Sequence, residues 1–127
     1  MYVQLNSVIV DADTSNRQEL ATFLGQFGVH PMAQLGTVDG LASLLSRSDA
    51  PQLVIVNLDP AAHENLKAVG KLPREFPNIS FFVMSQLLDA NLLMEAMRKS
   101  GRCALAKWAW KGKQYVCLLY TSPSPRD

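Results

Sequence analysis

The sequence predicts an α/β fold: a three-layer, doubly wound parallel sheet with helices on both of its faces. Three short apolar runs, which end at Val10, Val56 and Met84, show no polar alternation and are typical of strands buried on both faces. Segments with apolar residues at helical spacing separate these runs. Strands and helices therefore alternate four times in residues 1–101, an order that favours a parallel sheet.

Each predicted element has its own start and stop signals. The first strand covers 3–10, and a helix follows at about 15–27, with Thr14 or Ser15 as its N-cap and Gly28 at its end. The remaining predicted strands cover 30–35, 53–56 and 79–84. The second predicted helix has Thr37 or Asp39 as its N-cap and fades by 49–51, and the others lie around 61–72 and 90–101.

Length and composition limit the class of protein. A chain of 127 residues with 48% hydrophobic content can bury the core of one domain. A formal net charge of +1 gives no electrostatic case for nucleic-acid binding. The sequence contains neither a secretory signal nor an apolar run of membrane-span length. We therefore expect a cytoplasmic domain without membrane insertion.

Polar side chains gather where the predicted strands end. In open parallel sheets, the carboxyl ends of the strands meet at one edge, where binding and catalytic residues are usually found. The candidate site residues at this edge are Asp11, Asp13, Asn57, Asp59 and Ser85.

The spacing of several of these residues is similar to that of a known family. Six positions match the receiver domains of response regulators: Asp11, Arg17, Pro51, Asn57, Ser85 and Gly101. The resemblance covers about residues 5–101 and implies the flavodoxin-like strand order 2-1-3-4-5. It also implies that position 57 is the phosphoacceptor position and that Ser85 is the switch serine or threonine.

A narrower resemblance is to the N-terminal atypical receiver of TadZ/CpaE-type pilus assembly proteins. It is carried by the segments 10–13, 57–60 and 92–101, the last reading Leu-Leu-Met-Glu-Ala-Met-Arg-Lys-Ser-Gly. It implies a role in localising the Flp (tight adherence) pilus machinery, fusion to a ParA/MinD-like ATPase domain, and interaction with protein partners or a second copy. The interaction face expected on the fourth helix consists of Leu92, Leu93 and Met97.

The chemistry of phosphorylation is degenerate in this sequence. Asn57 replaces the aspartate nucleophile, and Ala12 stands where a receiver has the second acid of its metal-binding pair. Phosphoryl transfer needs a nucleophile and Mg²⁺, and Mg²⁺ needs carboxylate oxygens. We therefore expect a phosphorylation-independent domain that is not an enzyme and needs no cofactor, in which Ser85 caps the following loop.

Two alternatives to this interpretation remain open. Asp59 is a second candidate phosphoacceptor, which would make the chain a working receiver in a two-component phosphorelay. Asp11, Asp13 and Asp59 form a residual acidic pocket that is a candidate for weak Mg²⁺ binding, against a solvated acidic rim as the simpler reading. A nucleotide-binding enzyme is disfavoured because the sequence has no phosphate-binding loop.

Residues 102–127 differ from the rest of the chain. Residues 1–100 carry seven basic and ten acidic side chains, whereas 101–127 carry five basic and one acidic, with both cysteines and both tryptophans. The ending resembles translated read-through or adapter sequence. We expect a truncation after the fourth helix, with a partial fifth strand followed by irregular chain, and an apolar patch near that helix. Lys107 lies near the position of the family's lysine.

Overall fold

A computed structural model describes residues 5–47, 49–100 and 103–121. In these ranges no helix has the length and apolar character needed to cross a bilayer. The elements, in chain order, are β1 Leu5–Val10, α1 Thr14–Gly25, β2 Val29–Leu35, α2 Leu41–Leu45, β3 Leu53–Asn57, α3 Ala62–Val69, α4 Leu72–Glu75, β4 Ser80–Ser85, α5 Ala90–Ser100, β5 Cys103–Trp110 and β6 Lys113–Tyr120.

The strands form one six-stranded sheet in the order β2-β1-β3-β4-β6-β5. The first four strands are parallel, with β1 pairing with both β2 and β3, and β3 pairing with β4. This arrangement confirms the predicted doubly wound α/β fold and its order over the first four strands. The apolar runs predicted as buried strands are the central strands β1, β3 and β4.

The sheet continues with an antiparallel hairpin, β5–β6. Its second strand, β6, pairs with β4, and β5 lies at the edge. The prediction of irregular chain after a partial strand is therefore wrong as far as Tyr120, where β6 ends. The reason is a two-residue turn at Lys111 and Gly112, both at positive φ, which is typical of a tight hairpin. The predicted effect of Pro123 and Pro125 falls outside the described residues.

Two predicted helices have different boundaries in the structure. The helix expected at 61–72 is two helices in the structure. The first, α3, ends with Gly70 as its C-cap, and the second, α4, begins at Leu72 with Pro73 in its first turn. The predicted fourth helix is consequently α5. The glycine expected at its end, Gly101, lies outside the described residues.

The two faces of the sheet are covered unequally. On one face, α2, α3, α4 and α5 pack over a large apolar core that includes Val8, Val54, Phe81 and Leu118. On the other face, α1 packs over a smaller core built from Ile9, Leu20, Ile55, Met84, Tyr115 and Cys117. The hairpin contributes to both cores, because alternate side chains of β6 point to opposite faces.

An apolar cavity of about 470 Å³ lies beside α1, between that helix and the hairpin. Its lining includes Leu24, Leu53, Phe82 and Trp108. The apolar patch was predicted near the fourth helix, where α5 lines a separate cavity. The opening beside α1 is an additional one, on the face where α1 is the only described helix.

Candidate functional site

The register of the central strands brings the candidate residues together. Val10 pairs with Val56, so the next residues along each strand, Asp11 and Asn57, are neighbours at the edge of the sheet. Asn57 in turn pairs with Met84, which brings the loop after β3 close to Ser85. The predicted gathering of polar side chains at this edge is therefore what the topology produces.

Asp11 is the centre of the site and is almost fully buried, with 1% of its surface exposed. Its Oδ2 accepts hydrogen bonds from Nδ2 of Asn57 at 3.2 Å and from Nδ2 of Asn16 at 2.6 Å. Its Oδ1 accepts from the backbone N–H of Asp13 at 2.9 Å. Both carboxylate oxygens thus have amide donors, as a buried charge requires.

Asn57 links the two halves of the site. Its Nδ2 donates to Asp11, and its Oδ1 accepts from the backbone N–H of Asp59 at 3.1 Å. An aspartate could accept the second bond but could not donate the first. The amide is therefore suited to this position as a cross-link between β1 and the loop after β3.

Asp59 is bonded on the opposite side of that loop. Its Oδ1 accepts a short hydrogen bond from Oγ of Ser85, and its Oδ2 accepts from the backbone N–H of Gln86 at 2.9 Å. The Ser85 hydroxyl also accepts from the backbone N–H of Leu87 at 2.8 Å. Both residues therefore hold the loop after β4 in place.

The side chain of Asp13 caps α1. Its Oδ1 accepts from the backbone N–H of Asn16 at 3.0 Å, so the predicted cap at Thr14 or Ser15 is wrong by one or two residues. The adjacent Arg17 donates from Nη1 to the backbone oxygen of Asp11 at 2.6 Å. Asp13 is exposed, and in the described part of the chain it does not form a group with Asp11 and Asp59 that could hold a metal ion.

Two residues of the hairpin reach the site, and the sequence pattern did not point to them. The indole Nε1 of Trp110 donates to Oδ1 of Asn16 at 3.0 Å. Because Asn16 in turn donates to Asp11, this bond connects the hairpin to the site. Tyr115 is buried on β6, and burial, followed by the nearby carboxylates of Asp11, Asp59 and Asp13, raises its phenol pKa. Both belong to a segment that was interpreted as foreign to the domain.

Lys107 does not occupy the position expected from the family. It lies on the edge strand β5, opposite Val116, and its side chain is exposed. The expectation assumed that the strand after α5 would pair directly with β4. Because β6 takes that position, Tyr115 and Val116 stand at the end of the strand beside Ser85.

The residues predicted as an interaction face lie on the packed side of α5. Leu92, Leu93 and Met97 are partly buried against the large core, whereas Met94 is 62% exposed. These three positions are spaced at helical intervals because they face the sheet. Residues between them, including Met94 and Glu95, are exposed.

The donor set does not fit a Mg²⁺ ion. Mg²⁺ takes oxygen ligands in near-octahedral geometry, but both oxygens of Asp11 and both of Asp59 already accept protein N–H or O–H donors. The described residues contain no group of three His, Cys, Asp or Glu side chains placed to hold a metal ion. His30 and His63 are both exposed and lie on different elements.

Known structures show the same fold. A pilus assembly-related protein from Burkholderia pseudomallei superposes with a TM-score of 0.64 at 21% identity, over 77% of this chain and 75% of that one. A response regulator from Thermotoga maritima superposes with a TM-score of 0.59 at 19% identity, over 76% and 78%. The fold is receiver-like. No protein-family model and no curated protein matches the chain.

A different class of structure also matches the hairpin. A tRNA (m1A22) methyltransferase from Streptococcus pneumoniae superposes over 98% of this chain and 67% of that one, with a TM-score of 0.63 at 11% identity. Identity this low describes the arrangement of strands and helices. In nucleotide-binding sheets, the turn after the first strand is usually rich in glycine, whereas residues 11–14 here contain none.

Proposed function

We propose that this chain is a receiver-like protein-interaction module in which phosphorylation has no part. In this proposal, the site at the strand ends is a structural lock, meaning a hydrogen-bond network that holds the loops after β1, β3 and β4 together. The observation that carries the proposal is the hydrogen bond from Nδ2 of Asn57 to the buried carboxylate of Asp11. It puts an amide N–H where a working receiver would hold a metal ion between two carboxylates.

Three further features support the proposal. Ala12 supplies no metal ligand. Ser85 and Asp59 are bonded to each other, so the hydroxyl that would contact a phosphoryl group and the alternative acceptor are both engaged. The strand beside β4 brings the phenol of Tyr115 close to the carboxylates, and a neutral phenol cannot neutralise an incoming phosphoryl group as a lysine would. We assign the module no enzymatic activity.

We further propose that the module belongs to a pilus assembly protein of the Flp type, in which it is fused to a ParA/MinD-like ATPase. Two observations support this: the sequence resemblance of segments 10–13, 57–60 and 92–101, and the superposition on a pilus assembly-related protein. The module would then recruit protein partners, or a second copy, to the assembly site.

The test is chemical phosphorylation of the chain. The protein is incubated with acetyl phosphate and Mg²⁺, and its intact mass is measured, with a phosphorylatable receiver treated in parallel. We expect no gain of a phosphoryl group, because Asn57 cannot be the nucleophile and Asp59 is engaged. A stoichiometric gain that disappears in Asp59→Ala would contradict the proposal and favour the phosphorelay alternative.

A further inference from the structure

A cleft of about 640 Å³ separates α3 and α4 from α5, on the face of the sheet opposite α1. Its floor is apolar and includes Leu66, Leu92, Ala96 and the ring of Tyr120. It is remote from the strand-end site, because Tyr120 pairs with Phe81 near the start of β4, whereas Ser85 ends that strand. The two regions therefore stand at opposite ends of β4.

The rim of this cleft carries an unusual share of the positive charge. Four of the seven Lys and Arg residues in 1–100 line it, and among the ten acidic residues only Glu95 does so. The four are Lys67, Lys71, Arg74 and Lys99. The same hundred residues carry a net negative charge, so the concentration of positive charge is local and does not reflect the composition.

The two walls of the cleft are connected. Nη2 of Arg74, on α4, donates to the backbone oxygen of Lys99, on α5, at 2.7 Å. Nζ of Lys99 pairs with Glu95 at 3.1 Å. Lys67 and Lys71 are exposed on the opposite wall. The cleft therefore has two exposed ammonium groups on one wall and an ion pair on the other.

We infer that this cleft is a docking site for an acidic peptide that carries an aliphatic anchor residue. Its carboxylates would pair with Lys67 and Lys71, and its aliphatic side chain would lie on Leu66, Leu92 and Ala96. Charge complementarity selects an anionic partner, and an aliphatic floor selects an amphipathic peptide. A single-stranded nucleic acid would stack successive bases on several exposed aromatic platforms. The aromatic rings of the lining are the buried Tyr120 and one exposed imidazole, His63.

This inference rests on the proposed function, because it names the partner class of the interaction module. It also corrects the surface: the partner would contact the wall of α5 that faces α3, and would not require Leu93 or Met97. Phosphorylation and peptide docking are measured separately. Incorporation of phosphate would overturn the proposed function alone, and failure of peptide binding would overturn the docking site alone.

The experiment uses the full chain and a fluorescein-labelled 14-residue peptide with Leu at helical spacing and Glu at most other positions. Fluorescence anisotropy measures its affinity at low and high salt. Comparison probes are a peptide with Lys in place of Glu, an acidic peptide with Ser in place of Leu, and a labelled oligothymidylate. We expect the acidic amphipathic peptide to bind most tightly and to weaken as salt increases.

The variant Lys67→Glu/Lys71→Glu tests the rim. Both side chains are exposed, so we expect the fold to persist, as circular dichroism will verify, and the affinity to fall by about tenfold or more because attraction becomes repulsion. The matched control is Lys107→Glu/Lys113→Glu, which makes the same charge change at exposed positions of the hairpin. We expect the control to change affinity by about threefold or less, since long-range effects are screened.

Three results would overturn the inference. The first is the absence of saturable peptide binding. The second is an equal loss of affinity in the rim variant and in the hairpin control, which would indicate an effect of net charge alone. The third is tighter binding of oligothymidylate than of the acidic peptide, which would make the cleft a nucleic-acid site.

Discussion

Replacing Asn57 by Asp tests whether the strand-end site is a lock that needs an amide. The substitution puts a second carboxylate against Asp11, with the facing oxygens about as far apart as the present Nδ2 and Oδ2, which are separated by 3.2 Å. Asp11 is 1% exposed and Asn57 is 9% exposed, so water screens the pair weakly. The variant therefore restores the residue of a working receiver but should destabilise this protein.

The size of the loss follows from two competing costs. Two charges at this distance repel by about 5 kcal/mol at an effective dielectric constant of about 20. Keeping one carboxyl protonated at pH 7 costs about 4 kcal/mol, because an ordinary aspartate has a pKa of about 3.9 and each pKa unit is about 1.4 kcal/mol. Protonation of one carboxyl costs less than the repulsion, so it is the favoured state of the folded variant. We expect the free energy of unfolding to fall by about 4 kcal/mol at pH 7, a large part of a typical stability.

The loss should depend on pH in a definite direction. In the variant, the carboxyl pair shares a proton when folded, so one pKa of the pair is raised above its unfolded value. The folded state then binds more protons than the unfolded state, and lowering the pH stabilises it. At pH 5 the same cost is only about 1.5 kcal/mol. Most of the loss at pH 7 should thus be recovered at pH 5.

The assay is urea denaturation followed by tryptophan fluorescence at both pH values, with EDTA present so that cations do not screen the pair. Asn78→Asp makes the same chemical change at an exposed position and should alter stability by about 0.5 kcal/mol or less. Asp11→Asn combined with Asn57→Asp removes the second charge but places an Nδ2 donor against Nδ2 of Asn16, so it should restore only part of the stability. A loss below about 1 kcal/mol in Asn57→Asp at pH 7 would refute the lock.

Three further predictions concern the hairpin and α5. Trp110→Phe removes the indole donor that reaches α1 and should lower the free energy of unfolding by about 1 to 2 kcal/mol in urea denaturation; an unchanged midpoint would show that the hairpin does not brace the site. Burial raises the pKa of the Cys117 thiol to about 11, so at pH 8 a thiol reagent should modify Cys103 first and Cys117 only as the protein unfolds; equal rates would place Cys117 at the surface. Met97→Ala should lower the free energy of unfolding by about 2 kcal/mol. Met94→Ala, at a site 62% exposed, should lower it by about 0.5 kcal/mol or less. The opposite ranking in thermal melts would mean that α5 is rotated about its axis.

Local patterns made the first part of the fold predictable. The runs around Val8, Val54 and Phe81 are apolar throughout because both faces of those strands are covered. A continuous apolar run can be recognised in the sequence without a structure. The hairpin was missed for a different reason. Its composition suggested foreign sequence, and this outweighed the two-residue turn at Lys111 and Gly112 and the alternation on either side of it.

The same distinction applies to the candidate site. Asn57 and Ala12 indicate from the sequence that a nucleophile and a metal ligand are missing. Their replacement by a closed hydrogen-bond network could not be predicted, because it depends on Asn16, which lies in a helix, and on Trp110, 94 residues further along the chain. Similarly, helical spacing identified Leu92 and its neighbours as one stripe on α5, but only packing shows that the stripe faces the core.

The sequence by itself determined the alternation of strands and helices, the carboxyl-end location of the polar residues and the presence of Asn57 and Ala12 where a receiver has acidic residues. Each of these depends on residue type and short-range period. The tertiary structure decided which donors hold Asp11, that β6 and not β5 pairs with β4, and that four basic side chains surround one cleft. These features depend on register and packing between residues far apart in the chain, and a local pattern does not encode them.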